Sequence, residues 1–128
     1  MYFQPLEITS VDHPVPFPLG MHEISKDVLN LVFEGVSVNS SYQSNSTIKD
    51  PGTLPFQTGN KTECALLEFV NSYGGDYKLI RAEYPEQNFG KVFPFNSTRK
   101  SMSTIVRTDD SWRLHCKGAF EVVFSKSV

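Results

Sequence analysis

Long hydrophobic runs are absent from this sequence. The longest apolar stretch in its 128 residues, 28–33, is interrupted by Asn30. A helix that crosses a bilayer needs about 20 apolar residues, so we expect no membrane-spanning segment. The first residues carry neither a basic stretch nor an apolar core, and we therefore predict no signal peptide in them.

Motifs for catalysis and for metal binding are also missing. There is no Gly-x-Ser-x-Gly elbow, no phosphate-binding loop and no Cys-x-x-Cys pair. His115 and Cys116 are neighbours, but adjacent residues of a strand point to opposite faces and cannot hold one ion. His13 and His22 have no third partner. We predict no catalytic residue, no metal and no cofactor, and an enzyme without a recognisable motif stays as an alternative.

Charge of either sign is scarce and nearly balanced. The chain has 12 Lys and Arg residues against 14 Asp and Glu residues, for a net charge of −2. Nucleic-acid binding needs dense basic clusters, so we predict no nucleic-acid partner. Four basic residues of the second half are candidates for a partner-binding patch if neighbouring strands align them: Arg99, Lys100, Arg107 and Arg113.

Cysteine is rare. Cys64 and Cys116 are the only two, and 52 positions separate them. An even count is compatible with one disulfide, which would stabilise the fold by about 4 kcal/mol by closing a loop of that length. We predict this bridge. Two buried free thiols of a cytosolic protein are the alternative.

Glycosylation sequons are more frequent than expected for a chain of this composition. Four Asn-x-Ser/Thr matches lie in polar, turn-rich stretches, at Asn39, Asn45, Asn60 and Asn96. Together with the predicted bridge they favour an oxidising, glycosylating compartment. We therefore predict a secreted, extracellular glycoprotein, with a cytoplasmic protein as the alternative.

Short strands are the elements that the hydrophobic pattern favours. Ten Phe and five Tyr residues suit pleated, half-buried surfaces. A Pro-rich extended segment is expected over 1–20 and a long polar loop over 39–62, with an edge strand near 54–57. A helix over 22–33 is the alternative to a strand at 28–33. The predicted strands are 28–33, 63–70, 77–84, 89–95, 102–107, 112–116 and 120–124.

These strands predict one mainly β domain over residues 1–128. Its expected architecture is a single antiparallel β-sandwich or barrel of about seven or eight short strands with little helix. Strands 63–70 and 77–84 would form a hairpin. The predicted function is that of a secreted or cell-surface binding domain that recognises a protein or glycan partner. A small β-barrel carrier of an apolar ligand is the alternative.

Overall fold

Helices and short strands make up the fold of residues 24–128, the part of the chain that the computed structural model describes. The chain divides into two units, residues 1–32 and 33–128. The Pro-rich segment 1–20, His13 and His22 lie outside the described residues. The elements are α1 (Lys26–Val38), β1 (Asn45–Thr47), β2 (Phe56–Thr58), α2 (Lys61–Ser72), α3 (Tyr77–Glu83), a 3₁₀ turn (Glu86–Asn88), β3 (Lys91–Asn96), β4 (Ser101–Arg107), β5 (Trp112–Gly118) and α4 (Phe120–Ser125).

The strands of this part form two small antiparallel sheets. β1 pairs with β2, and β3, β4 and β5 form a meander in that order. In the meander Arg107 stands opposite Trp112, and Ser101 opposite Gly118. The predicted sandwich or barrel of seven or eight strands is wrong, because four segments of the described chain are helices.

Residues 63–70 form most of α2 and not the predicted strand. The side chain of Asn60 accepts a hydrogen bond from the backbone N of Glu63 and so caps the helix. Cys64, Leu67 and Val70 are fully buried, and this spacing of three belongs to one face of a helix. The same segment also alternates in hydrophobicity, which is why the strand prediction failed.

Residues 77–83 form α3, so the predicted hairpin is also wrong. Asp76 caps this helix by accepting hydrogen bonds from the backbone N of Lys78 and Leu79. Tyr77 and Arg81, four positions apart, face the interior. The strand predictions at 28–33 and 120–124 are also wrong, because these residues lie in α1 and α4. For residues 26–33 the alternative prediction of a helix is confirmed.

Three of the strands predicted in the second half, at 89–95, 102–107 and 112–116, are confirmed. They correspond to β3, β4 and β5 with boundaries shifted by one or two residues. On the inner face of β4, Met102, Thr104 and Val106 are buried. The predicted polar loop 39–62 is wrong in part, since it contains β1 and the start of α2; β2 overlaps the edge strand that was predicted near 54–57.

A buried guanidinium organises the segment that follows α1. Arg81 of α3 is buried and lies beside the rings of Tyr42 and Tyr77, 4.6 and 5.0 Å from their centroids. Burial lowers the pKa of Arg81. Its nitrogens donate four hydrogen bonds to the last turn of α1 and to this segment. The acceptors are the carbonyl oxygens of Ser37, Ser41 and Ser44 and the hydroxyl of Ser40.

Candidate functional site

The inner face of β5 carries a row of basic side chains that meet carboxylates. Arg113 Nη1 lies 2.8 Å and His115 Nε2 lies 2.6 Å from the same Oε2 atom of Glu34. Two positions further along the strand, Lys117 Nζ lies 2.9 Å from Glu63 Oε2. Alternate residues of a strand share a face, so β5 presents Arg113, His115 and Lys117 to the helices.

Glu34, Arg113, His115 and Tyr84 form one cluster, which we call the Glu34 cluster. Tyr84 donates its hydroxyl to Glu34 Oε1 at 2.8 Å. Burial raises the pKa of Glu34. The hydrogen bonds with Arg113, His115 and Tyr84 outweigh burial and hold that pKa below its ordinary value. Burial and the bond to Glu34 raise the pKa of Tyr84 to about 12. The cluster holds residues of α1 and β5 together.

Glu63 connects three segments of the chain. Its carboxylate accepts hydrogen bonds from the backbone N of Ser41 at 3.2 and 3.3 Å and from Ser44 Oγ at 2.7 Å, in addition to the ion pair with Lys117. Burial raises the pKa of Glu63, and the bonds from Ser44 and Lys117 lower it further than burial raises it. The carboxylate is therefore ionised and holds Lys117 in place.

A cleft of about 390 Å³ opens beside this ion pair. Phe95 of β3 forms one wall, with 63% of its surface exposed. Leu66 of α2 lines it as well and is 36% exposed. The remaining lining residues are Asn60, Thr62, Glu63, Lys117 and Gly118. An exposed aromatic ring, an apolar wall and a lysine thus surround one cavity.

The turn between β3 and β4 lies against the end of β5. A Cβ atom at Gly118 would collide with the carbonyl oxygen of Lys100, so a larger residue would push the two segments apart. That carbonyl oxygen accepts a hydrogen bond from the backbone N of Ala119 at 3.0 Å. Lys100 has a positive φ of 55°, which the tight turn requires. Lys100 is thereby placed next to the residues that line the cleft.

A larger hollow of about 470 Å³ between β1 and the end of α2 has a different character. Its charged side chains already have partners. Glu68 accepts from Gln57 Nε2 at 2.6 Å, and Lys78 Nζ donates to Thr47 Oγ1 at 3.2 Å. Asp76 caps α3. No aromatic ring lines this hollow, whereas the other cleft combines the exposed ring of Phe95 with Lys117, and we take that cleft as the candidate site.

The four basic residues predicted as a partner-binding patch lie at two ends of the sheet. Arg99 and Lys100 are in the turn between β3 and β4, whereas Arg107 and Arg113 are at the far ends of β4 and β5. Arg107 lies over the ring of Trp112, and Arg113 is bound to Glu34. The structure brings them together only in pairs, and Lys100 alone is next to the cleft.

The predicted disulfide is wrong, because both thiols are free. Cys64 is buried in α2, where its sulfur donates to the carbonyl oxygen of Thr58 at 3.1 Å. Cys116 is exposed on β5 and alternates with Lys117, which points towards α2. The two sulfur atoms therefore lie in separate environments.

The four sequon asparagines have structural roles. Asn39 is only 2% exposed, and it donates to the carbonyl oxygen of Met102 and accepts from Thr104 Oγ1. Asn60 caps α2. Asn96 accepts two backbone N–H bonds in its own turn, and Asn45 donates to the carbonyl oxygens of two residues just before it. A buried Asn39 cannot carry a glycan.

Sequence reasoning missed Glu63, Phe95 and Lys117 as site residues. The spacing Asn60-x-x-Glu63 before an apolar run is a helix-capping signal, and it was interpreted only as part of a sequon. Within residues 24–128, no three His, Cys, Asp or Glu side chains lie together so that they could hold a metal ion. None of the helices in that range has the length and apolarity to span a bilayer.

Comparison with known proteins gives consistent matches. Residues 27–128 match the family model described as P-type ATPase, cytoplasmic domain N. The chain is 43% identical over 116 residues to plasma membrane calcium-transporting ATPase 4 of Bos taurus, covering 89% of this chain and 9% of that protein. It is 48% identical over 101 residues to the Homo sapiens protein of the same name, covering 77% and 8%. For the mca-1 calcium-transporting ATPase of Caenorhabditis elegans the identity is 45% over 104 residues, covering 75% and 8%.

The chain thus spans less than a tenth of the length of these curated relatives. The match to a cytoplasmic domain overturns the prediction of a secreted or cell-surface glycoprotein that binds a protein or glycan. It agrees with the cytoplasmic alternative.

Proposed function

The chain belongs to the family of P-type ATPase cytoplasmic N domains, and we propose that it binds ATP for a calcium-transporting ATPase, in the cleft between Phe95 and Lys117. The observation that carries this proposal is the exposed ring of Phe95 in the same cavity as the Lys117 ammonium. The relatives are named as calcium-transporting ATPases. In this proposal calcium transport is the activity of the whole ATPase, to which this domain contributes ATP binding.

Phe95 supports the proposal as a platform for the nucleobase. A side chain that is 63% exposed offers one ring face to a ligand. Stacking of a base on an aromatic ring contributes about 1–3 kcal/mol. Leu66, on the cleft wall formed by α2, supplies apolar surface for the same planar group. The base is therefore expected between Phe95 and Leu66.

Lys117 supports the proposal as the phosphate-binding group. Its ammonium is the cation that lines the cleft, and lysine binds phosphate as a point charge. In the structure it is paired with Glu63, so a polyphosphate chain competes with that carboxylate. Lys100, whose carbonyl is bonded to the residue after Gly118, can supply a second cation at the mouth of the cleft.

Calorimetric titration of the 128-residue chain with ATP tests the proposal. We expect Phe95→Ala to weaken ATP binding about tenfold through loss of stacking, and Phe95→Tyr to retain it. Phe124→Ala is the matched control, because Phe124 is 67% exposed on α4 and does not line the cleft.

Lys117→Ala tests the phosphate group in the same assay. We expect it to weaken ATP binding more than adenosine binding, since adenosine lacks the charged groups. Lys91→Ala, which removes a charge from an exposed position of β3, is its control. Equal ATP affinity in Phe95→Ala, Lys117→Ala and the two controls would refute the proposal.

A further inference from the structure

The hydroxyl group of Ser44 lies behind the wall of the cleft and joins two residues that line it. Ser44 is only 1% exposed. Its Oγ accepts a hydrogen bond from the backbone N of Asn60 at 3.2 Å and lies 2.7 Å from Glu63 Oε1. An ionised carboxylate can only accept hydrogen bonds, so the single hydroxyl proton lies between Ser44 and Glu63. Ser44 therefore donates to the carboxylate that holds Lys117.

The segment that carries Ser44 is held from its other side by Arg81. The guanidinium donates to the carbonyl oxygens of Ser41 and Ser44 at 3.1 and 2.8 Å. The same two residues direct their own donors, the Ser41 backbone N–H and the Ser44 hydroxyl, at Glu63. A Cβ atom at Gly59 would lie 2.7 Å from Ser44 Oγ, so the backbone there packs closely against the hydroxyl. Both donors are thus held in place by residues outside the cleft.

A polyphosphate that binds Lys117 takes a cation away from Glu63. Lys117 Nζ lies 2.9 Å from Glu63 Oε2, and the Glu63 side chain is only 12% exposed. Burial raises the pKa of Glu63, and the hydrogen bonds from Ser44 and Lys117 lower it. A buried carboxylate that loses its partner is unfavourable and tends to take up a proton. Once Lys117 has moved, Glu63 therefore depends on the donors that remain, which are the Ser41 backbone N–H and the Ser44 hydroxyl.

We propose that Ser44 is a positioning residue of the ATP cleft, whose hydroxyl keeps Glu63 ionised while Lys117 passes from that carboxylate to the phosphates of ATP. This inference rests on the proposed function, in which Lys117 binds the phosphates. Two cations lie near Glu63, Lys117 of β5 in direct contact and Arg81 of α3 at longer range. Arg81 stays bonded to the Ser44 segment when Lys117 moves. Ser44 thereby makes the release of Lys117 to the nucleotide more favourable.

Calorimetric titration of Ser44→Ala with ATP and with adenosine tests this role in the 128-residue chain. We expect ATP to bind about tenfold more weakly at about pH 8, because a hydrogen bond to a charged group is lost in the complex. Adenosine affinity should change less than about twofold, since adenosine has no phosphate to draw Lys117 from Glu63. Ser44→Cys, a weaker donor of similar size, should lie between the two and serves if Ser44→Ala does not fold.

The pH dependence separates this role from a purely structural one. In Ser44→Ala, loss of both Lys117 and the hydroxyl raises the pKa of Glu63 in the ATP complex above its pKa in the free variant. A group whose pKa rises on binding takes up a proton and favours binding at low pH. We therefore expect the deficit in ATP affinity, relative to the unmodified chain, to shrink as the pH is lowered from about 8 to about 6.

Ser40→Ala is the matched control. Ser40 is buried in the same segment, and its hydroxyl bonds to Arg81 and to the carbonyl oxygen of Ser37 instead of to Glu63. This variant should lose stability but should keep the ratio of ATP affinity to adenosine affinity and its pH dependence. A loss in Ser40→Ala equal to that in Ser44→Ala would overturn the specific role of Ser44.

An NMR titration of the Glu63 carboxyl group without nucleotide distinguishes this inference from the proposed function. Loss of the hydroxyl should raise the pKa of Glu63 in Ser44→Ala and not in Ser40→Ala. An unchanged Glu63 titration in Ser44→Ala overturns the role of Ser44, and so does an equal loss for ATP and adenosine or a deficit that does not depend on pH. If the unmodified chain does not bind ATP while the Glu63 titration still shifts in Ser44→Ala, the result counts against the proposed function and not against the link between Ser44 and Glu63.

Discussion

Lys117 Nζ lies 2.9 Å from Glu63 Oε2, so the cation of the proposed ATP cleft is held by a carboxylate in the first turn of α2. The same carboxylate binds Ser41 and Ser44. One side chain thereby joins α2, the end of β5 and the segment after α1. Any change at Glu63 is expected to affect the stability of the fold as well as the cleft.

Glu63→Gln tests the structural part of that role. The neutral amide loses the ion pair and weakens the bonds to Ser41 and Ser44, and we expect a loss of about 2 kcal/mol in the free energy of unfolding. Urea denaturation measures it. Glu83→Gln is the control, since Glu83 is exposed and should change stability by less than about 0.5 kcal/mol. Equal effects of the two variants would contradict the role given to Glu63.

Acid sensitivity follows from Glu34. Burial opposes ionisation, but the hydrogen bonds from Arg113 and its neighbours hold the pKa of Glu34 below the ordinary value of 4.5. A lowered folded pKa stabilises the protein fully above the unfolded value and loses that contribution as the pH falls through the folded value.

The melting temperature should therefore fall as the pH drops below the ordinary value of 4.5. In Glu34→Gln the melting temperature should be lower at neutral pH and should depend less on pH in that acid range, because the titrating group is gone. Differential scanning calorimetry against pH measures both. A variant with the same acid profile as the unmodified chain would show that Glu34 is not the group responsible.

Arg81 provides a test of the buried hydrogen-bond network. Arg81→Met leaves the carbonyl oxygens of Ser37, Ser41 and Ser44 without their donor, and we expect it to cost about 3 kcal/mol of stability. Arg81→Lys should restore little, because an ammonium cannot reproduce the planar fork of donors. Arg107→Met, an exposed position, is the control. Full recovery in Arg81→Lys would mean that charge and not geometry matters there.

Gly59 and Gly52 form a matched pair for backbone strain. Both have positive φ, of 88° and 80°. A Cβ atom at Gly59 would lie 2.8 Å from Ser44 Cα, whereas at Gly52 it meets open space. We expect Gly52→Ala to cost about 1 kcal/mol for the left-handed backbone alone. Gly59→Ala should cost clearly more and should weaken ATP binding, because Ser44 supports Glu63. If thermal denaturation gives the same loss for both, the close approach to Ser44 is unimportant.

Local signals in the sequence were sufficient for the second half of the sheet. Turn residues follow β4, at residues 108–111, and Trp112, Leu114 and Cys116 alternate with basic residues, so β4 and β5 could be recognised from the pattern alone. The helices α2 and α3 were missed although Asn60 and Asp76 stand at the N-cap of each. Their short apolar segments satisfy both periodicities, and burial of Leu67 and Val70 against the rest of the fold selected the helical one.

The sequence by itself determined the strands of the meander, the turns between them and the absence of any long apolar run. Only the tertiary structure decided the site, because Glu63, Phe95 and Lys117 come from three elements that are far apart in the chain. The tertiary structure also decided that the cysteines are free and that Asn39 is inaccessible to a glycan, since burial of Cys64 and Asn39 depends on what packs around them. Periodicity reports which face of an element is apolar, and it carries no information on which distant residue that face meets.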